Sequence, residues 1–91
     1  MPEVVFTIQL PDGVTKECYS PSTVVLRHFR QGEEMSVAEF LARSRKAFPA
    51  ASDRVRAKFG FACSSAAAQL AAIEEWTGVF ASDATIRILH I

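Results

Sequence analysis

Ser36-Val37-Ala38-Glu39-Phe40-Leu41 opens the stretch that decides the fold. Serine followed three residues later by glutamate is a capping box, in which each side chain can serve a backbone N–H that the helix leaves unpaired. Behind it, Val37, Phe40, Leu41, Ser44, Phe48, Ala51, Val55 and Phe59 fall on one stripe at helical spacing. The pattern predicts a helix that Gly60 stops, glycine being the residue that best accepts a left-handed terminus. Pro49 lies inside it. An interior proline removes a backbone hydrogen bond and costs about 3 kcal/mol or more. The stripe keeps its register across Pro49, so a kinked or restarted helix is expected rather than a loop.

Upstream, Val4, Phe6, Ile8 and Leu10 alternate with Val5, Thr7 and Gln9, the period of a strand. Pro11-Asp12-Gly13 is a turn signal, and Val14 to Tyr19 reads as the returning strand of a hairpin. Its Val14, Lys16, Cys18 face is less apolar, which fits a sheet edge. Ser20-Pro21 resembles a helix start, followed by Val24, Val25, Leu26 and Phe29 in a short helix that ends at Gln31-Gly32. Downstream, Phe61 to Ser65 connects to a helix from about Ala66 to Phe80 with Leu70, Ile73, Thr77 and Phe80 inward. Gly78 weakens its last turn. Ser82-Asp83 is a turn, and Thr85 to Ile91 is a β-branched last strand. The expected fold is therefore one α+β domain over residues 1–91. It has an N-terminal β-hairpin, two to three helices and a C-terminal strand, forming a three-stranded sheet with the helices on one face. With the last strand beside the first, the layout would be β-grasp-like.

Composition excludes several classes. Of 91 residues, 49% are hydrophobic and 22% charged, too apolar for a disordered chain. A domain of this size has a thin stability margin, and a homodimer is expected on that ground. The N-terminus has no basic region leading into a long apolar stretch, so no signal peptide is expected, and no window offers the about 18 consecutive apolar residues of a membrane span. A cytoplasmic setting with reduced Cys18 and Cys63 follows as an expectation. No Cys-x-x-Cys and no nearby histidines accompany them, so neither a metal nor another cofactor is expected. Ten basic residues balance ten acidic ones, which disfavours nucleic acid as a partner. The balance is uneven along the chain. Eight of the ten bases and four of the ten acids lie between Arg27 and Lys58, leaving that segment at +4 and the remainder at −4. Such a segment reads either as a solvated helix surface or as a face for an anionic ligand or partner.

The connector holds the one chemically unusual constellation. Cys63 precedes a helix N-terminus, where unpaired N–H groups and the helix dipole lower a thiol pKa and attract anions. Ser64 and Ser65 add hydroxyls, and Arg54, Arg56 and Lys58 lie one to three turns before. Together these six residues are the candidate ligand-binding set. The ordinary reading competes with it: a free cysteine is most often a small buried hydrophobe, and serine before an alanine-rich helix is most often a cap. No catalytic residues are assigned. His28 and His90 are the only histidines, and nothing in the spacing links either to Cys63 as a base. An enzyme is therefore disfavoured.

Pro11-Asp12-Gly13, Cys18-Tyr19-Ser20-Pro21-Ser22, Ala42-Arg43-Ser44-Arg45 and, most specifically, Arg54 to Ala66 resemble a family of small bacterial proteins named for a nitrogen-starvation response. The resemblance covers nearly the whole chain and loosens from Thr77 onward. It implies a cytoplasmic role in nitrogen scavenging, including use of nitriles or cyanide. Its members are encoded beside a nitrilase, a radical-SAM protein, an acetyltransferase and a flavin-dependent oxidoreductase. It also implies an uninterrupted helix where Pro49 stands, and it brings no catalytic or binding residues with it. Three functions compete. The first is a non-catalytic accessory protein acting through contacts with enzymes of that pathway. The second is an anion or metabolite module at Cys63-Ser65, and the third a nucleic-acid-binding regulator.

Overall fold

Three residues reverse the chain after the first strand. Gly13 takes φ +90°, a conformation that costs other residues a Cβ clash. Its N–H donates to the Leu10 carbonyl at 2.9 Å, the Leu10 N–H donates to the Val14 carbonyl at 2.8 Å, and Asp12 Oδ1 accepts the Val14 N–H at 3.1 Å. The strands it joins are β1, Val4–Gln9, and β2, Thr15–Ser20, paired antiparallel with Phe6 opposite Cys18 and Ile8 opposite Lys16. In this computed structural model, the backbone is described for residues 3–20, 23–59 and 64–91, and the side chains of these except 52, 54–59, 64 and 65.

The short helix expected after β2 is a 3-10 turn, Thr23–Arg27. Valine and threonine lose side-chain freedom in an α-helix, and the tighter turn still buries Val24 and Val25. Gly32, at φ +83°, then reverses the chain between the Arg30 carbonyl and the Glu33 N–H, 3.1 Å apart. That is the position at which a type II turn requires positive φ. The turn delivers a strand the sequence reading did not contain: β3, Glu34–Ser36. Three residues are too few to display a period of two, and the last of them, Ser36, is also the cap of the helix that follows.

The cap forms. Ser36 Oγ accepts the Glu39 N–H at 3.1 Å and opens α1, Val37–Phe59. The Glu39 carboxylate, however, turns forward to Arg43. The remaining N-terminal donors are served by the loop before the last strand: Val37 N–H donates to the Ala84 carbonyl at 2.8 Å, and Ala38 N–H to that of Ser82 at 3.0 Å. Pro49 stands inside one continuous helix, with no restart. Pro49 and Arg45, whose carbonyl the missing N–H would have bonded, are both exposed, so water can take up that acceptor. The second helix, α2, is Ser64–Thr77, starting two residues earlier and ending three residues sooner than expected; Gly78 ends it. The last strand, β4, is Thr85–His90.

The sheet has four strands, not three, in the order β2-β1-β4-β3. β4 does lie beside β1, but antiparallel to it, with an irregularity between Thr7 and Ile8. A β-grasp sheet brings its first and last strands together in parallel, so that likeness fails. All the pairs are antiparallel, and β2 is an edge strand as its mixed face predicted. One face packs on the helices: Phe6, Ile8, Leu10, Cys18, Met35, Ile86 and Ile88 are buried there. The opposite face carries Val5, Glu17, Glu34 and Arg87, all exposed, and Glu34 and Arg87 form an ion pair across β3 and β4. Helices on a single face is what the α+β reading required.

The α1 stripe meets that face as predicted over its described length. Val37, Phe40, Ser44, Phe48 and Ala51 are buried, together with Ala47, and Leu41 is half-buried. Val55 and Phe59 lie outside the described side chains. Phe6, Phe29, Phe40 and Phe48 form a chain of rings with centroids 5.7, 5.3 and 6.3 Å apart for the Phe6–Phe29, Phe29–Phe40 and Phe6–Phe48 pairs. Aromatic pairs at such separations add to the stabilisation from area burial. On α2, Ile73 and Thr77 are buried, and Leu70, Trp76 and Phe80 pack against the core from its margin.

Candidate binding site

The Gly32 turn places its own residues against α1. Arg30 comes before the turn and Glu33 after it, while Arg43 and Lys46 rise from α1 one turn apart. Glu33 is the hinge of the arrangement. Its Oε1 accepts the Arg30 backbone N–H at 3.3 Å, and its Oε2 pairs with Arg43 Nη1 at 2.8 Å. Arg43 also donates from Nε to Glu39 Oε1 at 2.9 Å and from Nη1 to the His28 carbonyl at 3.0 Å. The guanidinium is thus held by three acceptors from three parts of the chain, with only its planar fork able to reach all of them. The hydrogen bond from Arg43 holds the Glu33 carboxyl below its usual range. Bonding to Glu33 and then Glu39 raises the Arg43 pKa in turn.

This clamp forms the floor of a cleft of about 300 Å³ lined by Arg27, His28, Arg30, Glu33, Arg43 and Lys46. Four cations face one carboxylate, in a chain with no net charge. Arg27, Arg30 and Lys46 are exposed and carry no ion pair among the described residues. The excess of basic residues after Arg27 was visible in the sequence, but not their convergence. The available signals were the glycine turn and the 39/43/46 spacing, which puts Glu39, Arg43 and Lys46 on one helix face.

A second groove, of about 400 Å³, runs between β2 and α2 and is lined by Glu17, Tyr19, Ala68, Gln69, Ala72 and Trp76. Because Leu10 and Val14 form a hydrogen-bonded pair, alternation along the hairpin turns the backbone groups of Thr15, Glu17 and Tyr19 away from β1. Gln69 Oε1 already accepts the Tyr19 N–H, at 2.9 Å, in the place an added strand's carbonyl would occupy. Lys16 Nζ sits 5.4 Å from the Trp76 ring and fixes the wall of the groove. Trp76 is half-buried, packing against the core with one part and lining the groove with another.

Of the sequence-predicted set, Arg54, Arg56 and Lys58 stand on the last two turns of α1, and Ser64 and Ser65 are the first two residues of α2 rather than a connector and cap before Ala66. Their side chains, and Cys63 altogether, lie outside the described residues, as does the anion pocket read there. Among the described residues, Phe48, Pro49, Ala66, Ala67 and Leu70 line an apolar groove between α1 and α2 whose one charged residue, Asp53, is an acid. Cys18 is buried and free, and burial pushes its thiol up to about 12, which makes it a core group rather than a nucleophile. Among the described residues there is no cluster of metal-ligating side chains, and no helix is long and apolar enough to cross a membrane.

The sequence model of one family, described as nitrogen starvation-induced protein NitG, matches residues 5–91. The match includes β4 and its preceding loop, the part where the resemblance read from the residues was loose. No curated protein and no solved structure matches the chain.

Proposed function

This chain belongs to the nitrogen starvation-induced NitG family, and we propose that within that response it is a non-catalytic accessory protein of nitrile- or cyanide-linked nitrogen scavenging. It acts in the cytoplasm through contacts with the pathway's enzymes. The observation that supports this reading is the groove between β2 and α2. It offers an exposed strand edge at Thr15 and Glu17, an alanine floor at Ala68 and Ala72, and an aromatic wall at Trp76. A strand edge with a pocket beside it suits an extended segment of another protein, which adds main-chain hydrogen bonds and seats alternate side chains. Gln69 mimics one of those bonds in the free protein. Self-association as a homodimer accompanies the proposal, since a small domain gains from a second buried surface.

Purified enzymes of the gene neighbourhood implied by the resemblance, the nitrilase first, test it in biolayer interferometry. Micromolar or tighter binding is expected from at least one. Ala72→Arg fills the groove from a half-buried position and is expected to weaken that binding about tenfold or more. The reading fails if none of them binds, or if Ala72→Arg binds as the native chain does.

A further inference from the structure

A second site, independent of the β2–α2 groove, is carried by the basic cleft. We propose that the cleft between the 3-10 turn, the Gly32 turn and α1 binds a small oxyanion bearing at least two negative charges, such as a phosphorylated or polycarboxylate metabolite. Arg27, Arg30 and Lys46 are the ligand-facing cations, and Arg43 is their fixed base.

The argument starts from what the fold has done with charge. Arg43 is satisfied three times over by Glu33, Glu39 and the His28 carbonyl. Its role is to anchor the loop to the helix. The three other cations form no ion pair among the described residues, although Arg30 feels the charge of Glu33 and the chain holds as many acids as bases. Two acids elsewhere pair locally, Glu74 with Arg45 between the helices and Glu34 with Arg87 on the open sheet face. Like charges gathered around one cleft repel one another, so such a cluster lowers stability unless something negative visits it. Guanidinium groups match the planar, paired oxygens of phosphate and carboxylate, and an ammonium adds a third, adaptable donor. The cleft, at about 300 Å³, is at the small end of ligand sites and fits a metabolite better than a macromolecular surface. Glu33 stays on its floor paired to Arg43, which holds that guanidinium back from the ligand's place, and the three remaining cations attract a multiply charged anion more strongly than a singly charged one.

Nitrogen-15 NMR titration of the whole chain at an ionic strength of about 150 mM tests this, with inorganic phosphate, citrate and acetate as probes and chloride as the ionic control. Saturable shifts of the Arg27–Glu33 and Arg43–Lys46 amides are expected with phosphate or citrate and not with acetate or chloride. Preference for phosphate identifies a phosphoryl ligand; preference for citrate identifies a polycarboxylate. Arg27→Gln and Arg30→Gln, both at exposed positions, are each expected to weaken the binding about tenfold, the scale of one charge-assisted contact. Arg45→Gln, on a different face and paired with Glu74, is expected to leave it unchanged. The proposal is overturned if phosphate and citrate shift nothing beyond chloride. It is also overturned if all three variants weaken them equally. A melting curve for each variant shows that the folded chain is being compared.

Discussion

Ser44→Ala removes a hydroxyl from the middle of the α1 stripe and is expected to make the protein more stable. Ser44 has no exposed surface, and its Oγ has no hydrogen-bond partner among the described residues. It lies between Phe40 and Phe48, one turn from each, on the face that meets the aromatic chain. A buried polar group left unsatisfied costs about 1–3 kcal/mol, so its removal returns a gain at the low end of that range after some loss of packing. Alanine also exceeds serine in helix propensity by about 0.5 kcal/mol. The sum is a stabilisation of about 1–2 kcal/mol. In a domain of this size, each kcal/mol moves the melting temperature by about 4–8 °C. Urea denaturation followed by far-ultraviolet circular dichroism measures the change, which should appear as a higher midpoint at an unchanged slope. Ser44→Thr, which keeps the hydroxyl and adds a methyl, should destabilise through overpacking. A loss of 1 kcal/mol or more in Ser44→Ala would refute the reasoning, since it would mean the hydroxyl holds a partner that supports the helix.

The remaining predictions follow from the same geometry. Phe40→Ala, which opens the ring chain at its fully buried end, should cost about 3–5 kcal/mol, a large part of a small domain's total, and show as a collapsed urea midpoint. Gly32→Ala meets no atom within 4 Å but keeps φ +83°, so it should cost about 1–2 kcal/mol from backbone strain alone and broaden the amide signals of Arg30 and Glu33. Because Glu33 titrates lower in the folded chain than in the unfolded one, its contribution is present above the unfolded pKa and is lost as pH falls through the folded value. Glu33→Gln should therefore lower stability at neutral pH and flatten the decline seen in melts taken at successively more acid pH. Iodoacetamide should alkylate native Cys18 only at the rate of unfolding, which peptide mapping reads directly. A rate matching a free thiol would contradict its burial.

The parts of this fold that announce themselves in sequence are those with a period or a stereochemical requirement. Phe6, Ile8 and Leu10 alternate strongly enough to place β1 and its buried face, and Gly13 is the one residue of its turn that can take positive φ without strain. The α1 stripe from Val37 to Ala51 survived Pro49 because burial on one face decides the helix, while the lost hydrogen bond falls on the wet side. What escaped was short or relational. Glu34-Met35-Ser36 has no period to show, and it is a strand only because β4 lies alongside; Gly32 N–H and the Glu33 carbonyl reach Ile88 to begin that pairing. The antiparallel sense of β4 depends on where the chain re-enters the sheet, which local preference does not encode. The basic cleft has the same character. Arg27, Arg30, Arg43 and Lys46 were conspicuous as a charge excess, but only the Gly32 turn and the Arg43 clamp bring them around one hollow. Arg54, Arg56, Lys58 and Cys63 to Ser65 carry the louder signal in the sequence, because a helix start beside basic residues is itself a local reason to hold an anion.

Everything built around the cleft and the groove depends on β4 lying between β1 and β3, antiparallel to both. Cross-strand nuclear Overhauser contacts in the full chain test this most directly. The arrangement requires Ile8 to contact Ile88 and Met35 to contact Ile86, with the Ile88 amide, bonded to the Glu33 carbonyl at 2.8 Å, slow to exchange. A parallel pattern between β1 and β4, or a fast-exchanging Ile88 amide with no contact from Met35 to Ile86, would contradict it.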